Sequence, residues 1–152
     1  MRYRIFVALC GLFTLAGWVP AHAQGAREMK LAFDFTDANP VVLLKKLENV
    51  ETTRQQLIAS GITPKIVMTF RGNASYFTQT DMSAIKESER ADALKVAAKL
   101  REMKQAPGVQ GLEQGNLPLA DRKLKSSDLM SEVKLVPDGW SGHGGYHRHG
   151  YA

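Results

Sequence analysis

The sequence predicts an α/β domain built on a small, open, mostly parallel sheet with helices on both faces. Three observations carry that expectation. Short runs rich in branched and aromatic residues recur at 30–35, 64–70 and 132–136, with a weaker one at 109–112. Between them lie two segments, 40–60 and 83–105, whose apolar side chains repeat at helical spacing. Turn-forming residues mark nearly every change of pattern, and strands that alternate with helices at this spacing pair in parallel with right-handed crossovers.

Residues 30–35 read as a buried strand that ends at Asp37-Ala38-Asn39-Pro40, where Asn39 can cap a helix opening on Pro40. That helix carries Leu43, Leu47, Val50, Leu57 and Ile58 on one side and stops at Gly61. Residues 64–70 form the second strand, and 71–81 follow as a mostly polar loop with a turn at Gly72-Asn73, anchored by Tyr76 and Phe77. The second long helix presents Ala93, Val96, Ala97, Leu100 and Met103 before Pro107-Gly108 ends it. After a short strand at 109–112, Glu113-Gln114-Gly115-Asn116 reads as a loop and 119–124 as a helical turn. Ser126-Ser127-Asp128 can cap a turn through Leu129-Met130, and the last strand at 132–136 is stopped by Pro137-Asp138-Gly139.

The two ends have a different character from this domain, which is expected to occupy 29–140. Arg2 and Arg4 precede an apolar run from Ile5 to Val19, and Pro20 leads into Ala21-His22-Ala23, the three parts of a cleavable secretory signal at 1–23. The run is too short to span a bilayer, so no integral membrane segment is expected after cleavage, and the chain is expected in the periplasm or outside the cell. Cys10, the only cysteine, lies within that segment. Cleavage would leave a chain without disulfides, thiolate nucleophiles or thiolate metal ligands. The formal charge of +5 would fall to +3 once Arg2 and Arg4 depart, and the remaining cations are dispersed, which argues against a nucleic-acid partner. Residues 141–152, rich in glycine and histidine, are expected to be a disordered tail.

Few residues offer catalytic chemistry. Asp34 and Asp37 flank the end of the first strand, but no histidine of the domain can act with them, and Asp37 is explained by the turn. The turn at Asp37-Ala38-Asn39-Pro40 contains no glycine and so lacks a phosphate-cradling loop. In the tail, His143, His147 and His149 supply three imidazoles that can converge on a transition metal, the only cofactor expected, and a periplasmic metal-handling protein is the alternative function.

Taken in order, the strand and Asp37-Ala38-Asn39-Pro40 turn, the helix with Leu47-Glu48-Asn49-Val50, the strand at 65–70, the Arg71-Gly72-Asn73 loop, the long helix, 109–116 and the ending Val133-Lys134-Leu135-Val136-Pro137-Asp138-Gly139 resemble the DsrE/DsrF-like sulfur-relay family. The resemblance covers roughly 30–140. It implies a compact α/β/α fold, often oligomeric, in which active members hold a persulfide on the cysteine of a Cys-Gly-Asn loop. Here that loop reads Gln114-Gly115-Asn116, or begins at Glu113 if shifted by one residue, and neither side chain can carry sulfur. The resemblance therefore implies a non-enzymatic, exported relative that binds a small ligand or partner subunit, as a homo- or hetero-oligomer, in a sulfur-compound pathway. The residues expected to bind are Arg71, Gly72, Asn73, Gln114, Gly115 and Asn116, which combine hydrogen-bonding amides, close backbone approach and a cation for an anionic group.

Overall fold

The computed structural model describes residues 27–115, 123, 125–137, 146 and 150–152. Four strands, β1 (Arg27–Phe35), β2 (Ile62–Phe70), β3 (Val109–Gly115) and β4 (Val133–Val136), form one all-parallel sheet in the order β1-β2-β3-β4. Helix α1 (Pro40–Ala59) joins β1 to β2, and helix α2 (Glu87–Lys104) lies between β2 and β3. The open parallel α/β sheet follows the sequence expectation. Helices α1 and α2 pack on each other and share one face. Right-handed crossovers between strands that are neighbours in both sequence and space leave every connecting helix on the same side.

Local chemistry sets the element boundaries. Asn39 caps α1 through its side-chain oxygen, which accepts from the backbone N–H groups of Val41 (2.9 Å) and Val42 (3.2 Å), with Pro40 at the first position. At the other end Gly61 turns the chain with φ of 72°, open to glycine without strain. Helix α2 has Glu87 and Glu89 in its first turn and Arg101 and Lys104 in its last, each sign favourable for the helix dipole. Its predicted stripe of Ala93, Val96, Ala97, Leu100 and Met103 is fully buried.

The stripe on α1 departs from expectation at its last turns. Arg54, not Leu57 or Ile58, follows Val50 into the interior, and Ile58 is exposed. The guanidinium of Arg54 is satisfied where it lies: Nε and Nη2 bind the Glu51 carboxylate at 2.8 and 2.6 Å, and Nη1 donates to the carbonyl of Pro107 at 3.0 Å. This clamp ties α1 to the turn after α2. The hydrogen bond from Arg54 holds the Glu51 carboxyl below the usual carboxylate range, against a smaller opposing effect of burial. A depressed folded-state pKa means stability that is present above the ordinary Glu value and lost as pH falls through the folded one. Urea midpoints measured down a pH series should therefore fall in acid, and Glu51→Gln should flatten that fall; an equally steep profile in the variant would remove Glu51 as its source.

The core lies between the sheet and the two helices. Alternation along the strands sends Ile66, Met68, Phe70 and Leu112 to the helices, where Leu43, Leu47, Val96 and Leu100 meet them. A 3-10 helix at Gly72–Thr78, where the sequence suggested a polar loop, closes the carboxyl end of this layer and buries Ala74 and Phe77. Residues Glu113 to Gly115 were expected in a loop but belong to β3, whose register with β4 pairs Glu113 with Lys134 and Gly115 with Val136.

On the opposite face, among the described residues, the cover comes from the tail. Tyr146 is buried, and Ala152 pairs with the free edge of β1: its N–H donates to the Lys30 carbonyl at 3.0 Å and its carbonyl accepts from the Ala32 N–H at 2.9 Å. Residues 146 and 150–152, in the segment expected to be disordered, thus lie against the sheet. Tyrosines supply the reason, since their rings bury apolar area while their hydroxyls find partners on the sheet.

Candidate functional site

In a parallel sheet, ligands bind beyond the carboxyl ends of the strands. The described predicted residues all reach that end, but they do not converge on one point. Arg71 follows β2, held by its N–H donating to the Phe35 carbonyl at 2.8 Å. Its side chain turns to the tail-covered face and forms a two-point ion pair with Asp34, Nε to Oδ1 at 2.9 Å and Nη2 to Oδ2. Thr69 Oγ1 donates to the same Asp34 oxygen at 2.9 Å. Asp34 and Arg71 therefore neutralise each other, and this corrects the expectation of Arg71 as an open anion receptor. Both Asp34 oxygens are thereby engaged. Asp37 is paired with Lys46 at 2.8 Å.

Gln114 departs furthest from its expected role. It lies next to Phe70 on the helix-facing side, fully buried beneath the 3-10 helix, and its Oε1 accepts from Thr78 Oγ1. Among the described residues its Nε2 has no hydrogen-bond partner, and neither amide atom of buried Gln79 has one. Gly115 is buried at the end of β3. Asn116 lies outside the described residues, as do His143, His147 and His149. Among the described residues no group of three His, Cys, Asp or Glu side chains is placed to hold a metal ion. No helix of the described residues is long and apolar enough to cross a membrane.

Asn73 lies in a crevice of about 320 Å³ between the 3-10 helix and the amino-terminal ends of α1 and α2. Its walls include Asn39, Tyr76, Lys86 and Glu89. Gly72, at φ of 50°, lets the chain turn from β2 into the 3-10 helix while passing Thr36, whose Cβ lies 3.8 Å from where a side chain would begin. Sequence patterning missed Lys86 and Glu89 because they read as the solvated start of a helix. The signal that marks them is position: they open α2 at the carboxyl edge of the sheet.

A second cavity, of about 430 Å³, lies on the other face between the sheet and the tail. Val67 and Gly111 form its floor, Lys30, Glu113 and Lys134 its charged walls, and Tyr146 and Tyr151 its cover. A register shift between Ile66 and Val67 makes room for Gln110 and sets Gly111 beside Val67. Burial pushes the Glu113 carboxyl up, against the smaller opposing influence of Lys134 and Lys104.

No family model matches the chain, and no curated protein matches it. It is similar in fold to the solved structure of a protein of unknown function from Methanobacterium thermoautotrophicum, with a TM-score of 0.52 and 19% identity over 83% of this chain and 96% of that one. That likeness establishes a shared α/β architecture.

Proposed function

We propose that this chain is an exported, non-catalytic, DsrE-like domain that binds a small ligand or partner subunit at the carboxyl edge of its sheet, within sulfur-compound metabolism, and carries no sulfur itself. The observation that supports this reading most is Gln114. At the place where the resemblance puts a persulfide-bearing cysteine, this chain has an amide sealed under the 3-10 helix and bonded to Thr78. Sulfur relay needs a polarizable thiolate that is both reactive and accessible, and Gln114 is neither. Signal cleavage near Ala23 would remove Cys10 with residues 1–23, leaving no thiol elsewhere. The crevice holding Asn73, Lys86 and Glu89 is the natural place for the ligand, because it combines donors, acceptors and both charges at the strand ends. Association with like or unlike subunits belongs to the same reading.

The test uses chain recovered after export. Incubated with polysulfide and measured by intact mass, it should begin at Gln24 and show no stable mass increase of a sulfur atom. A persistent sulfur adduct, or recovery of the chain with Cys10 still attached and modified, defeats the proposal.

A further inference from the structure

The cavity under the tail is separate from the carboxyl-edge crevice and does not depend on the reading above. Its cover is held by specific contacts. Tyr146 donates its hydroxyl to Glu113 Oε2, and Tyr151 donates to Gln110 Oε1 at 2.7 Å. The two rings meet edge to face with centroids 5.4 Å apart, and the Lys30 ammonium lies 5.6 Å from the centre of the Tyr151 ring. Together with the pairing of Ala152 to β1, these contacts fasten the chain end above the sheet and leave about 430 Å³ beneath it, a volume suited to a small organic molecule.

The chemistry of the walls narrows the ligand. Lys30 and Lys134 line the cavity with Glu113, and Lys104 acts on Glu113 from the end of α2, so among the described lining residues two cations face a single carboxyl group. Lys104 is held by the Gln110 carbonyl at 3.0 Å, whereas Lys134 has no ion-pair partner among the described residues. One oxygen of Glu113, Oε2, already accepts from Tyr146. An anionic head group is thus favoured and a cationic one is not. The remaining lining is apolar and aromatic: Val67 and the bare backbone of Gly111 on the sheet, and the two phenol rings, set edge to face, on the tail. We infer that the tail-covered face of the sheet is a binding site for a small planar organic anion, its carboxylate met by Lys134 and its ring held between Gly111 and the tyrosines.

Benzoate is the probe, titrated calorimetrically into the full chain, with acetate and benzylamine as the anion without a ring and the ring with the opposite charge. Benzoate should bind saturably and about tenfold or more tightly than either, since the charged contact and the ring contact each contribute. Lys134→Gln, an exposed substitution that should leave the fold intact, should weaken benzoate about tenfold. Gly111→Val should also weaken it by filling the floor. A side chain starting at Gly111 would lie 3.3 Å from Glu113 Oε1, the movable end of a flexible residue, so the strand can accept it. Amide shifts on benzoate addition should cluster at 110–113 and 151. Absence of saturable benzoate binding, acetate or benzylamine binding equally well, or unchanged affinity in Lys134→Gln overturns the assignment.

Discussion

Gly108→Ala should destabilise the chain by about 3 kcal/mol or more, the sum of a left-handed backbone conformation imposed on an L residue and a steric overlap. Gly108 has φ of +88°, and a Cβ built on it would lie 2.7 Å from both the Cγ and the carbonyl oxygen of Pro64. The carbonyl belongs to β2, so the clash cannot be relieved by rotating a side chain. Gly108 also accepts the Ile66 N–H at 2.8 Å, the bond that starts the pairing of β3 with β2. Displacing it disturbs the register that puts Gly111 beside Val67 and Gln114 beside Phe70. Gly61→Ala serves as the control, because φ there is also positive, 72°, but nothing lies within 4 Å. Only the conformational part remains at Gly61, about 1 kcal/mol. Urea denaturation followed by circular dichroism measures both. Equal losses at the two glycines would show that contact with Pro64 contributes nothing.

These two glycines illustrate how legibility divided along the chain. Gly61 announces itself as a helix stop, because a stripe of apolar residues ends just before it. Gly108 reads only as part of a Pro-Gly break, and its contact with Pro64 belongs to tertiary structure. The same division holds for the elements. Period and capping residues located α1 and α2 to within a few residues, since both are local properties. The length of β3 was not local: Glu113, Gln114 and Gly115 have turn-like composition, and pairing with β2 and β4 draws them into the sheet. Placement of both helices on one face follows from strand order, which periodicity does not encode. Arg54 escaped notice because an arginine in an apolar stripe looks like an interruption until Glu51 and the Pro107 carbonyl are seen to satisfy it. The residues singled out in the sequence fall at the carboxyl edge of the sheet, but the sequence did not reveal which side chains face each other there. Arg71 looked available because Asp34 is 37 residues away in the chain. The tail's histidines and glycines suggested disorder, while its two tyrosines carried the information about docking.

Phe70→Ala should remove about 3 kcal/mol, near the lower end of the usual range for emptying a buried phenylalanine site. Phe70 is fully buried at the end of β2 and stacks on Phe35 with ring centroids 5.4 Å apart, so both a large apolar area and an aromatic pair are lost. A loss of that size is a large share of the 5–15 kcal/mol by which domains are generally stable. The lower end is expected because of the neighbour. Gln114 pairs with Phe70 across β2 and β3 on the same face, and its Nε2 lacks a partner among the described residues. A void opening beside that amide can admit water, which hydrogen-bonds Nε2 and offsets part of the lost packing. Gln114→Leu supplies the decisive comparison. In that background the space left by Phe70→Ala no longer borders the Gln114 amide, so water gains less there and the same substitution should cost about 1 kcal/mol more than in the parent chain. Urea midpoints for the four members of this cycle give the coupling directly. Strict additivity would mean that no water reaches Gln114 and that its buried amide does not moderate the loss of Phe70.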